Sequence, residues 1–168
     1  MAKDNFLKSP LQEIIAVWPH EGRAAELVCK LKYERSTAVV SALAQAMAAL
    51  SPQADLVTWI PASPSRRRKR GFDQSELLAR AVARRQGVRV KRMLRRTDDL
   101  PQTARDRQGR ISGPRLVSRG PPLRRQPSIL VIDDVTTTGT TLHNAADILR
   151  QQGAGAVYGL VATRSTST

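Results

Sequence analysis

The run ILVIDDVTTTGTTLHNAADIL, Ile129 to Leu149, constrains the fold more than any other part of the chain. Four consecutive apolar residues lead into an acid pair, five threonines surround one glycine, and Leu142, Ala145, Ala146 and Leu149 then recur at helical spacing. The spacing predicts a buried strand over Ile129–Val135, a tight turn, and an amphipathic helix over Thr141–Gln152 stopped by Gly153. A strand that feeds a helix through so short a turn belongs to a βαβ unit, which needs a parallel neighbour.

The same grammar recurs elsewhere. Helices are expected over Gly22–Tyr33 and Thr37–Leu50, a buried strand over Leu56–Pro61, a helix from Gln74 or Ser75 to a Gly87 stop, and a strand over Ala156–Thr163. LQEIIAVW, Leu11–Trp18, reads as a short helix ending before Pro19. PASPSRRRKRGFDQ reads as an irregular basic loop, because two prolines, two serines and a glycine interrupt it. VRVKRML, Val88–Leu94, alternates as a strand. Residues 95–127 lack sustained periodicity and read as a long loop or a partly ordered insert, the length at which loops become lids or linkers.

Strand and helix in alternation predict an α/β fold: an open, doubly wound, mainly parallel sheet flanked by helices. A length of 168 residues with 40% hydrophobic but only 4% aromatic content suits one aliphatic core. Residues 1–20 are expected as an N-terminal extension and 21–168 as the domain, carrying a basic lid or insert around 95–127.

No apolar run has the roughly 18 residues of a membrane span, and MAKDNFLKSP lacks the pattern of a secretory signal, so the expected location is the cytoplasm. Cys29 stands alone and reads as a small helical hydrophobe. Charge is concentrated: residues 63–125 hold 20 of the 28 Lys and Arg but 5 of the 14 Asp and Glu, a net +15 against −1 elsewhere. Such a field favours phosphate-bearing partners, or serves only as a solvated surface.

In an open sheet, ligands collect beyond the carboxyl ends of the strands. Two loops occupy that place, the one after the Leu56 strand and DDVTTTGTT after the Ile129 strand. Threonines and Gly139 ahead of a helix offer amides and hydroxyls to a phosphate at the positive end of the helix dipole. Asp133 and Asp134 would repel that phosphate, and suit neutral hydroxyls or a cation. A ribose 5-phosphate meets both demands. The simpler alternative is a helix capped by Thr140 or Thr141, with the aspartates incidental to a strand end.

ILVIDDVTTTGTT resembles the signature of type I phosphoribosyltransferases at nearly every position. IPASPSRRRKRGFDQSELLARAVA, LRRTDDLPQTARDRQGR and LVCKLKYERS are similar to segments of the ComF-type, amidophosphoribosyltransferase-like proteins, and together cover roughly residues 22–164. There are departures. The usual Asn of the R-G-F-N-Q segment is Asp73, Gly113 stands where an Asn is expected, and the chain lacks the cysteines for the N-terminal four-cysteine zinc module of many relatives.

The resemblance implies phosphoribosyl pyrophosphate as substrate with Mg²⁺ bound largely through the substrate's own oxygens, not directly by the protein. It gives Asp133 and Asp134 the ribose hydroxyls and the catalytic role, and Thr136, Thr137, Thr138, Gly139, Thr140 and Thr141 the 5′-phosphate. Ala62, Ser63 and Arg66 take the pyrophosphate, and Arg95, Arg96, Arg105 and Arg110 are lid candidates. For each arginine the plain alternative is a solvated surface cation, and Lys32 reads as a solvated lysine. The acceptor, a nucleobase or an amine, is not legible: Trp18, Trp59 and Phe72 are scattered and read as packing residues. The family likeness also implies a second class of function, DNA uptake or single-stranded DNA handling through residues 63–125, with the pocket vestigial or regulatory. It leaves room for a homodimer.

Overall fold

The computed structural model describes residues 9–34, 36–97 and 116–165. In chain order the elements are β1 (Glu13–Pro19), α1 (Gly22–Tyr33), α2 (Thr37–Leu50), β2 (Leu56–Trp59), α3 (Pro64–Arg70), α4 (Gln74–Gln86), β3 (Arg89–Val90), β4 (Leu94–Arg96), β5 (Leu116–Ser118), β6 (Ile129–Thr136), α5 (Thr140–Gln151) and β7 (Val157–Arg164). Five strands form one sheet in the order β1-β7-β6-β2-β3, with every pair parallel. The expected α/β class, an open and mainly parallel sheet flanked by helices, is what the chain adopts.

Alternation along the strands builds a core on each face. Leu130 and Ile132 of β6 pack with Val57 and Trp59 of β2 under Val28 and Leu31 of α1, Leu43 and Met47 of α2, and Leu78 and Val82 of α4. Ile129 and Val131 point the other way, against Leu142, Ala145, Ala146 and Leu149 of α5. β6 is thus apolar on both sides, as a central parallel strand must be. Truncating fully buried Leu130 to alanine removes contacts with both neighbouring strands' side chains and costs about 2–5 kcal/mol.

Three expectations are corrected. Leu11–Trp18 is not a helix: β1 pairs in parallel with β7, Ile14 with Gly159 and Ala16 with Val161. Ile15 and Val17 face one core while Ile14 and Ala16 face the other. Its β-branched run favours the pleat, and the pairing partner lies more than 140 residues away, out of reach of any local pattern.

The basic stretch after β2 is not an irregular loop but contains α3. Ser63 caps it, its hydroxyl accepting the Arg66 N–H at 3.3 Å, Pro64 opens the first turn, and Gly71 closes it in the left-handed region at φ 76°. Proline at the start and glycine past the end fit helix termini as well as they fit a loop. Val88–Leu94 is not one strand either. β3 extends the main sheet beside β2, while β4 leaves it and pairs antiparallel with β5, which arises inside the stretch that showed no periodicity. Leu94 and Leu116 of this hairpin pack on the α5 side of the sheet.

Candidate functional site

The order of the strands creates the site. From β2 the chain crosses to β3 through α4 on one face, and from β6 it crosses to β7 through α5 on the other. β2 and β6 are neighbours, so the connections leaving their carboxyl ends diverge and open a crevice between them. A cleft of about 400 Å³ occupies this place.

Its floor is the acid pair. Asp133 Oδ1 accepts the Ser75 hydroxyl at 2.9 Å and the Asp134 N–H at 2.9 Å, and Asp134 Oδ1 accepts the Val135 N–H at 2.9 Å. Burial, and then the adjacent Asp134 charge, push the Asp133 carboxyl well above the ordinary carboxylate range. The hydrogen bonds from Ser75 and the Asp134 amide act the other way without cancelling this. Lys32 Nζ reaches only to 4.0 Å from Asp134 Oδ2, too far for a good hydrogen bond. The pair is therefore short of counter-charge, a condition that hydroxyl donors or a cation would relieve.

The turn after β2 is fastened from α4. Asp73 Oδ2 accepts the Ala62 N–H at 2.9 Å, and Asp73 Oδ1 accepts the Glu76 N–H at 3.3 Å, capping α4. Burial raises the Asp73 carboxyl above its ordinary range. The departure from asparagine has a use here, because two acceptor oxygens meet two N–H donors, whereas a carboxamide has one. Ala62 and Arg66 line the cleft. Ser63 does not: it is buried, with its hydroxyl spent on the α3 cap and on Ser65 at 3.0 Å.

The threonine turn borders the cleft through Thr141. Thr136 is buried at the end of β6, while Thr137 and Thr138 are exposed. The helix cap is Gly139, at φ 80°, with no side-chain cap bond, so neither Thr140 nor Thr141 caps α5. Thr138 Oγ1 lies 2.8 Å from Thr140 Oγ1 and 3.4 Å from the Thr140 nitrogen. A side chain at position 139 would be strained twice over, since its Cβ would lie 2.5 Å from Ile14 Cδ1 of β1.

Of the lid candidates, Arg96 lines the cleft and Arg95, one residue earlier on β4, is exposed and does not. Arg105 and Arg110 lie outside the described residues. Four further polar residues line the cleft without a site signal in the sequence: Lys32 reads as solvated, and Arg70, Gln74 and Ser75 fall in the basic stretch and a helix start. Arg66 and Arg70 are one helical turn apart, so recognising α3 would have put both on one face. Ser75 had no such signal, because its partner Asp133 is 58 residues away.

No protein-family model matches the chain. It is 31% identical over 97 residues to competence protein ComFC of Streptococcus pneumoniae (strain ATCC BAA-255 / R6), a match covering 56% of this chain and 41% of that protein. Two enzymes are among the solved structures that share its fold. One is an allosteric regulatory enzyme of purine biosynthesis, with a TM-score of 0.55, 20% identity, and 80% of this chain and 30% of that chain covered. The other is the glutamine phosphoribosylpyrophosphate amidotransferase of B. subtilis complexed with ADP and GMP, with a TM-score of 0.52, 22% identity, and 79% and 30% covered. The chain thus spans under half of the length of these relatives. Its fold is that of the type I phosphoribosyltransferases. Over part of its length the chain is thus similar in sequence to a competence protein, and it shares a fold with the two enzymes.

Proposed function

We propose that the cleft binds 5-phosphoribosyl-1-pyrophosphate and that the protein transfers its phosphoribosyl group to an acceptor. The observation that carries this reading is the meeting, in one cleft at the point where the strand order reverses, of an acid pair, a threonine turn and the cations of α3. Asp133 and Asp134 accept hydrogen bonds from the ribose hydroxyls, which offset their shortage of counter-charge. The threonine turn, with Thr141 nearest, takes the 5′-phosphate at the start of α5. Arg66 meets the pyrophosphate beside the turn that Asp73 holds, where negative charge builds as the C1 bond breaks.

Among the described residues, no three His, Cys, Asp or Glu side chains cluster as a metal cage. The acid pair at the cleft floor fits Mg²⁺ held largely by the substrate's own phosphate oxygens, its carboxylates adding negative charge beside the ion. Mg²⁺ bound so would supply charge neutralisation at the leaving pyrophosphate. Among the described residues no helix is long and apolar enough to cross a membrane, which is compatible with work in the cytoplasm.

A second reading, single-stranded DNA handling, is supported by α3, whose Arg66, Arg67, Arg68 and Lys69 are all exposed, and by the name of the competence relative. Calorimetric titration with phosphoribosyl pyrophosphate and Mg²⁺, wild type beside Asp133→Asn/Asp134→Asn, separates the two. Saturable binding lost in the double variant supports the transferase. No binding by the wild type, together with steeply salt-dependent DNA binding that the double variant keeps, would overturn it.

A further inference from the structure

The geometry points to a second anion site, on a face of α3 outside the cleft, that takes a phosphate monoester: its phosphate sits on Arg67, Arg92 and Arg119, and its apolar body on Phe72 and Leu77. The site does not depend on the transferase reading. Arg66 and Arg70 line the cleft, whereas Arg67 lines a separate recess of about 250 Å³ with Phe72, Asp73, Glu76, Leu77 and Arg80. Phe72 and Leu77 are half-buried there, and a concavity that sets such apolar side chains beside a few polar groups is the ordinary form of a small-molecule site.

Two more arginines are held close by the backbone. Arg92 lies between β3 and β4, where the Lys91 N–H donates to the Val57 carbonyl at 2.9 Å and the Met93 N–H to Thr58 Oγ1 at 3.3 Å. The Arg119 N–H donates to the Met93 carbonyl at 2.8 Å, which sets Arg119 against the residue next to Arg92. Arg92 Nε is buried and has no hydrogen-bond partner among the described residues, a state that costs stability until an acceptor is supplied. Burial, and then the charges of Arg119 and Arg67, hold the Arg92 guanidinium below its ordinary range, while Glu76 and Asp73 act the other way. Three guanidiniums, from α3, the β3–β4 link and the end of β5, thus converge on one place, and among the described residues none of them has an ion-pair partner.

The acids of the recess are already engaged. Glu76 Oε1 accepts Nη2 and Nε of Arg80 at 2.8 and 3.1 Å, and Asp73 accepts the Ala62 and Glu76 N–H groups. Four guanidiniums, those of Arg67, Arg80, Arg92 and Arg119, against the two carboxylates leave two positive charges over. A phosphate monoester brings roughly two negative charges and three acceptor oxygens, which the planar forks of three arginines can meet. A phosphodiester brings a single charge and must carry two substituents out of the recess, so the interior of a nucleic-acid strand fits it less well. The monoester has two sources, a small phosphorylated molecule and the 5′-phosphorylated end of a strand.

The test is calorimetric titration with phenyl phosphate, a monoester on an apolar ring, beside diphenyl phosphate, a diester of the same ring. Saturable binding of the monoester, tighter than the diester by about tenfold, is expected. Arg92→Gln and Arg119→Gln should each weaken it roughly tenfold, and Arg124→Gln, which removes an exposed cation outside the recess, should leave it within about twofold. Arg119 is exposed, so its variant keeps the test usable if Arg92→Gln lowers the Tm. No saturable binding by the wild type overturns the site, as does equal binding of the two esters. An equal loss with Arg124→Gln means a diffuse positive field and overturns it too. A loss caused by Arg66→Gln and by neither Arg92→Gln nor Arg119→Gln puts the phosphate in the cleft, with the same consequence. A 5′-phosphorylated oligonucleotide beside its unphosphorylated twin separates the sources. Tighter binding of the phosphorylated strand that Arg92→Gln removes supports the site with a strand end as its ligand; equal binding of the two strands, with phenyl phosphate bound, supports it with a small molecule.

Discussion

Replacing Gly139 with alanine tests how the threonine turn is built. The residue sits at φ 80°, in the left-handed region that costs an L-residue about 1–2 kcal/mol. An added Cβ would also lie 2.5 Å from Ile14 Cδ1, an overlap in the class that costs about 1–3 kcal/mol when a packed site is overfilled. The clashing atom is the end of a flexible side chain, so the lower half of that range applies, and the total comes to about 2–4 kcal/mol. For a chain of 168 residues this is a fall in Tm of roughly 4–16 °C. Urea and thermal unfolding of Gly139→Ala, Ile14→Val and the double variant divide the cost. Ile14→Val removes the clashing methyl, so the double variant should recover about 1 kcal/mol relative to additivity and keep the backbone share. A single variant within about 0.5 kcal/mol of wild type would refute the strained-turn account. A cycle that closes additively would refute the contact with β1.

Asp133 makes stability depend on pH in an unusual direction. Its folded pKa is raised, so the folded chain holds that proton more tightly than the unfolded one. Stability falls as pH climbs from the unfolded value near 3.8 through the folded value, by about 1.4 kcal/mol for each unit between them, and levels off above. Asp133→Asn should abolish this descending limb and be more stable than wild type at pH 8, read as Tm against pH; parallel profiles would contradict the buried-charge reasoning. Asp73→Ala should cost about 2–3 kcal/mol in urea unfolding, from a lost α4 cap and an Ala62 N–H left without its partner. Asp73→Asn keeps one of the two acceptor oxygens and should cost less, so equal losses for the two variants would count against the shared-acceptor geometry.

The unit β6-turn-α5 was readable because its hydrophobic period changes from a continuous run to helical spacing across a glycine that the backbone needs. α3 was hidden because Ser63, Pro64 and Gly71 carry the same local preferences whether they end a helix or shape a loop. β1 was hidden because its apolar run is short, and length is what separates a strand from a helix turn in a pattern of that kind. The acid pair and the turn after β2 could be named as site groups from motif alone. Their setting could not: Lys32 comes from α1, Arg96 from β4 and Ser75 from α4, and only the parallel pairing of β2 with β6 draws these elements to one crevice.

The distribution of charge within that crevice also bears on the choice between the two readings of the +15 segment. Two carboxylates lie at the floor, and Lys32, Arg66, Arg70 and Arg96 enter from α1, α3 and β4. A uniform polyanion lying in the cleft would gain from the cations but would set a phosphate against the acids, one of which already has its pKa raised by burial and by the other's charge. A ligand that is hydroxylated at one part and polyanionic at another meets both signs with the correct group. The acid floor therefore works as a discriminator against plain phosphate chains inside the cleft, and DNA would be confined to the outer face of α3, where Arg67, Arg68 and Lys69 stand exposed and do not line it. Neutralising Arg67, Arg68 and Lys69 together should then flatten the salt dependence of any DNA binding and leave the affinity for phosphoribosyl pyrophosphate unchanged. Neutralising Arg66 should weaken the sugar phosphate itself, and equal effects of the two variants on both ligands would mean that a single surface serves both.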